Sequence, residues 1–109
     1  MGEYAIKFSH NWNNKLNTKV FTTIRKWNRN KEEYYRSAIG EIFKVDLGGH
    51  QLPLVKLVNV DIIEYAHIPV TVLAQDVGYT SREKADQIFA RFGIANFDRV
   101  IILLFERVK

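Results

Sequence analysis

Apolar and polar residues alternate along most of the chain, and the alternation divides it into strands. Tyr4, Ile6 and Phe8 share one side of a first strand, with Ala5 and Lys7 on the other. The polar run from Ser9 to Asn14 ends it. Trp12 and Leu16, four apart, predict one helical turn before the next strand, Lys19 to Arg25, whose apolar or β-branched centre favours extended backbone. Lys26 to Arg36 reads as a loop or short helix. Ile42 to Leu47 forms a third strand with Phe43, Val45 and Leu47 facing in. Gly48-Gly49 predicts a hairpin turn into a long fourth strand, Leu52 to Ile63. Pro53 belongs near its beginning or on an edge, since it cannot donate to a ladder. Leu54, Val58, Val60 and Ile62 mark one face of that strand.

The second half changes period. Pro69 suits the first residue of a short helix, and Asp76-Val77-Gly78-Tyr79 breaks what precedes it. The best helix runs from Thr80 to Gly93. Thr80 and Glu83 have the spacing of a capping box, Ala85, Ile88, Phe89 and Phe92 form a buried stripe, and Gly93 closes the helix. Arg99 to Val108, with six consecutive apolar residues, reads as a strand buried on both faces. The expected fold is α+β: five or six mostly antiparallel strands, one main helix and short flanking helices in a single domain. Closure into a small barrel removes the edge strands, and an open sheet is the alternative.

Composition narrows the chemistry. The 109 residues are 47% hydrophobic, enough to fill one core. There is no Cys, so thiolate chemistry and disulfides are excluded. His10, His50 and His67 lie far apart, so neither a metal site nor a cofactor is expected. No apolar run is long enough to span a membrane and no leader is evident near Glu3, so the cytoplasm is the expected location. The net charge of +4 is unevenly placed. Residues 1–36 hold eight Lys or Arg against three Glu, and residues 37–109 hold eight against nine acids. A positive field concentrated in the first third points to a polyanion as partner.

Two stretches carry candidate chemistry. In the Lys19–Arg25 strand, Lys19, Phe21, Thr23 and Arg25 share one face, which reads as the floor of a site rather than scaffold. The following segment interleaves Arg25, Lys26, Arg29, Lys31 and Arg36 with Trp27, Tyr34 and Tyr35. Cations hold backbone phosphates and flat rings stack on unpaired bases. Trp27 and the tyrosines serve equally well as core. Lys44 and Lys56 extend the surface or simply decorate strands, and His10 is the histidine nearest the proposed cleft.

The order of motifs resembles the ASCH domain, a branch of the PUA-like superfamily. The resemblance rests on the first strand, Tyr4 to Phe8; on Lys19 with Thr22-Thr23-Ile24-Arg25, similar to that family's Lys–Thr–Arg signature; on Gly40-Glu41 opening a strand; and on a helix before a last strand ending in Phe105-Glu106. It implies a barrel with a cleft beside the Lys-Thr-Arg strand, and a role with RNA or modified nucleosides. Some members are small amidohydrolases that deacetylate N4-acetylcytidine with a Lys, a Thr and a Glu. Carried over, that set is Lys19 with Thr22 or Thr23, and Glu64, Asp76 or Glu83 as the carboxylate. Thr22 keeps the family spacing from Lys19, whereas Thr23 shares its face. A Thr nucleophile needs a base, and a Lys serves only with a depressed pKa.

Three functional expectations follow. The first is RNA binding through Lys19, Thr23, Arg25, Lys26, Trp27, Arg29, Lys31 and Tyr34, with single-stranded or structured RNA preferred because no helix suits a major groove. The second is an amidohydrolase acting on N4-acetylcytidine or a related nucleoside. The third is a non-catalytic protein-interaction barrel.

Overall fold

The computed structural model describes residues 4–8, 12–78 and 81–108, without the side chains of 12–14 and 75. Five strands and three helices follow in the order β1 (Tyr4–Phe8), β2 (Val20–Lys26), α1 (Arg29–Ser37), β3 (Ile42–Leu47), β4 (His50–Glu64), α2 (Val70–Val77), α3 (Arg82–Arg91) and β5 (Arg99–Arg107). Short 3-10 turns occupy Trp12–Asn17 and Tyr65–His67.

The strands form one mixed sheet in the order β1-β3-β4-β5-β2. β1 runs parallel to β3, and the other neighbours are antiparallel. β5 sits between β4 and β2, and its apolar run serves two cores. Ile101, Leu103 and Phe105 face one core with Phe21, Phe43 and Leu57, covered by Tyr35 of α1 and by Trp27. Val100 and Ile102 face the other with Ile24, Tyr65, Leu73 and Phe89, under α2 and α3. Side chains alternate across a strand, so only a continuous apolar run can fill both layers.

The sheet is open, which corrects the expected barrel. Its two ends, β1 and β2, share no ladder among the described residues. They approach each other through side chains instead. Phe8 meets Phe21 edge-on at 6.2 Å, and Arg25 Nη2 donates to the Lys7 carbonyl at 3.0 Å. The 3-10 turn supplies the buried Leu16 and Lys15 beside this seam and packs against α2 and β2. Closure is therefore a matter of side chains rather than backbone pairing.

Two bulges revise the reading of β4. Its register slips between Val45 and Phe43 of β3, opposite Pro53-Leu54, and again between Leu57 and Asn59 against β5. Pro53 thus sits at an irregularity that tolerates its missing N–H. Each slip changes which face a residue presents. Val55, Leu57 and Val60 are buried, while Leu54 and Val58, expected inside with Val60, face solvent.

The helices also differ from expectation. The basic segment is helical as α1, begun by Asn28, whose side chain accepts from Lys31 N at 2.7 Å. In α2, Pro69 is the extended residue before the helix rather than its first turn. Asp76 and Val77 lie within the last turn of α2, and the break comes one residue later. Gly78 adopts φ 84°, and its N–H returns to Ala74 O. Thr80 lies outside the described residues. Ser81 precedes α3 without a side-chain cap, and Glu83 is exposed in its first turn. Ala85, Ile88 and Phe89 form the buried stripe, but Phe92 falls just past the last turn and is 51% exposed.

Candidate functional site

The seam between β1 and β2 opens into a cavity of about 230 Å³. Its wall carries five cations: Lys7 from β1, Lys15 from the first 3-10 turn, Arg25 and Lys26 from β2, and Lys31 from α1. Asp76 is the one carboxylate on the wall among the described residues. Phe8, Phe89 and Phe92 contribute rings, and Thr23 contributes a hydroxyl.

Lys15 and Asp76 form the deepest part. Leu73 and Val77 turn one side of α2 toward the sheet, and Asp76, three residues after Leu73, follows them inward. Lys15 is held beside the buried Leu16. Lys15 Nζ lies 2.9 Å from Asp76 Oδ1, and the two residues are only 4% and 2% exposed. Thr22 Oγ1 donates to the same carboxylate oxygen at 3.2 Å. Burial pulls the Lys15 ammonium below its ordinary pKa, and the attraction of Asp76 resists this. Burial likewise pushes the Asp76 carboxyl up, against Lys15, Thr22 and Arg25. Burying such a pair costs desolvation that its mutual attraction only partly offsets, so it is weak evidence of a stabilising role. At the floor of a cavity it marks a candidate site.

Arg25 joins the floor to the rim. Its Nε donates to Thr23 Oγ1 at 3.1 Å while Nη2 holds the Lys7 carbonyl. The guanidinium lies 4.9 Å from the centre of the Phe8 ring, which Lys15 also approaches at 5.6 Å. Burial lowers the Arg25 pKa. The group remains a cation, because guanidinium does not deprotonate in proteins.

The structure brings together Thr23, Arg25, Lys26, Lys31 and Asp76 of the expected site residues. Thr22 stands behind them, bonded to Asp76. Lys19 does not reach the wall. β2 starts after it, its side chain is exposed, and its carbonyl accepts from Arg107 N. Glu83 points away on the exposed start of α3, and Glu64 is exposed beside His67. Arg29 is exposed at the start of α1. Trp27 is committed elsewhere: Nε1 donates to Glu32 at 2.7 Å, and the Arg99 guanidinium lies 5.2 Å from its ring centre. Tyr34 is exposed but leans on Tyr4 and Tyr35. Lys44 and Lys56 are exposed strand residues. His10 lies outside the described residues.

Lys15, Lys7 and the three rings are the charged and aromatic wall residues that strand-face counting missed, and Ile24, Val77 and Ile94 complete the apolar part of the wall. One signal was present: a Lys within the turn implied by Trp12 and Leu16, matched by an acid on the inward side of a short apolar helix.

No family model matches the chain, and no curated protein does. A crystal structure of an Enterococcus faecalis V583 protein, described under the family DUF984, is similar to it with a TM-score of 0.69. The two are 13% identical, and the likeness covers 99% of this chain and 82% of that one. At that identity the likeness establishes a shared small α+β fold. No helix among the described residues is long and apolar enough to cross a membrane.

Proposed function

We propose that the chain is an RNA-binding domain of the ASCH type, with the cavity at the β1–β2 seam as its binding site. One observation carries the reading. Five cations surround a cavity of about 230 Å³, and the lone carboxylate among them is already bonded to Lys15. All five are among the eight cations of residues 1–36, so most of the cations of the first third gather at one place. Lys15 and Arg25 are drawn out of solvent while Lys7, Lys26 and Lys31 stay exposed at the rim, and an anion relieves the mutual repulsion of like charges gathered there. Phosphate groups of RNA supply it, and the Thr23 hydroxyl and the cationic N–H donors on the wall suit ribose and base edges.

The test is a fluorescence-anisotropy titration of short single-stranded RNA at two salt concentrations, against wild type and an Arg25→Ala, Lys26→Ala double variant. Binding that weakens with salt and falls at least about tenfold in the variant supports the reading. Absence of binding to the wild type at low salt overturns it.

A second reading has its own observation. Lys15, Asp76 and Thr22 are in hydrogen-bond contact, a Lys–Thr–carboxylate set like that of the amidohydrolases the chain resembles, with Lys15 in place of Lys19. Asp76 accepts the Thr22 hydroxyl and is the group placed to take its proton as the oxygen attacks an acetyl carbonyl, with the Lys15 ammonium beside it to protonate the departing amine before water releases acetate from the acylated Thr22. Release of acetate from N4-acetylcytidine, lost in Lys15→Met and Thr22→Val, would support this reading. No release above background would remove it.

A further inference from the structure

We infer that Phe92 is a stacking platform for one unpaired base at the mouth of the cavity, with Lys26 and Lys31 holding the adjoining phosphate. The inference rests on the RNA-binding reading and adds to it the unit recognised: one splayed-out nucleotide rather than a stretch of duplex.

Phe92 is anomalous for its position. It continues the spacing of a buried stripe yet remains 51% exposed, while Phe89 is 2% exposed. Its placement is fixed rather than loose. The backbone N–H bonds to Phe89 O at 3.0 Å, and the ring meets Phe89 at 6.4 Å and 60°. A flat apolar ring is thus held at the rim, with about half its surface available. The next residue, Gly93, lies against the Lys26 ammonium: a Cβ added there would stand 3.8 Å from Nζ. Ring and cation are therefore neighbours, and Lys31 faces the same cavity. A nucleotide presents a flat base and an anionic phosphate, and this rim offers a partner for each. The cavity volume admits one such unit and no double helix, whose bases are already stacked on each other.

The other exposed phenylalanine supplies a control. Phe97 is 78% exposed on the Ala95–Asp98 turn, beside the Asp98 carboxylate, and is not on the cavity wall. That setting repels phosphate.

The experiment titrates labelled single-stranded RNA, and the same sequence as a duplex, against wild type, Phe92→Leu, Phe92→Trp and Phe97→Ala. Stacking of a base on an aromatic residue predicts a loss of about tenfold for Phe92→Leu, which keeps apolar bulk but not a flat face. Phe92→Trp retains affinity, and its indole emission is quenched as RNA is added. Phe97→Ala and wild type bind alike, and duplex binds more weakly than single strand. Unchanged binding by Phe92→Leu, an equal loss from Phe97→Ala, or equal affinity for duplex overturns the stacking role while leaving an RNA site in place. Failure of the wild type to bind any RNA overturns the site itself. Thermal unfolding of each variant confirms that the comparison is between folded proteins.

Discussion

Replacing Asp76 with Asn keeps the shape of the side chain and removes its charge. The Lys15 ammonium, 4% exposed, is then left without a counter-charge. Breaking a buried pair from one side typically costs about 3–5 kcal/mol. An upper limit comes from the alternative open to Lys15, which is to fold unprotonated. From its ordinary value of 10.5, that costs about 4.8 kcal/mol at pH 7, at about 1.36 kcal/mol per pH unit. For a chain of this size the loss lowers Tm by roughly 12 °C or more. The sign with pH also follows. In the variant, folded Lys15 has a pKa below its unfolded value, so the unfolded chain binds more protons between the two. Variant stability therefore rises with pH, and the limit on the deficit shrinks to about 2.7 kcal/mol at pH 8.5. Lys15→Met with Asp76→Leu removes both charges at similar volume and should recover most of the loss, short of about 1 kcal/mol for the Thr22 hydroxyl left unpaired. Urea unfolding followed by tryptophan fluorescence, at both pH values, gives the free energies. A deficit for Asp76→Asn under about 1 kcal/mol, or a double variant as unstable as the sum of its parts, would refute the account.

Three further outcomes are expected. Lys19→Ala, at an exposed position off the wall, should change stability by less than about 0.5 kcal/mol and leave RNA affinity nearly unaltered, as read by unfolding and anisotropy. The logarithm of RNA affinity should fall with the logarithm of salt with a slope of about −2 to −3, the value for three or four phosphates held on a single strand; a flat plot would remove the phosphate contacts. Burial, together with the Asp86 carboxylate, pushes the Tyr65 hydroxyl well above its ordinary value of 10. The unfolded chain loses that proton first, so stability declines as pH rises above about 10, and phenolate absorbance should show a late step that Tyr65→Phe abolishes.

The strands were largely legible because each has its own alternation or apolar run. β5 was plain from Val100 to Phe105, and the hairpin from Gly48-Gly49. The faces of β4 were not, because parity is lost at each bulge; Pro53 signals an irregularity without fixing the register after it, and nothing in the sequence marks the slip at Val58. Asp76 read as a turn residue because Gly78 follows it closely, yet Gly78 ends α2 two residues later and leaves Asp76 inside the helix. Lys15 was obscured by its polar surroundings, since its meaning comes from a partner 61 positions away. Phe92 was assigned to the core by spacing alone, which says which side of a helix a residue takes but not whether anything covers it there. Arg25, Lys26 and Lys31 were found because cations clustered near rings are a local signal.

Arg25 is the latch of the open sheet. Two of its five N–H groups are committed among the described residues, one to Thr23 and one to the Lys7 carbonyl. An anion in the cavity can take remaining donors without releasing either bond. Occupancy then braces β1 against β2 rather than prising them apart. Recognition and mechanical integrity draw on the same side chain and reinforce each other, so amide protons of β1 should exchange more slowly when the cavity is filled.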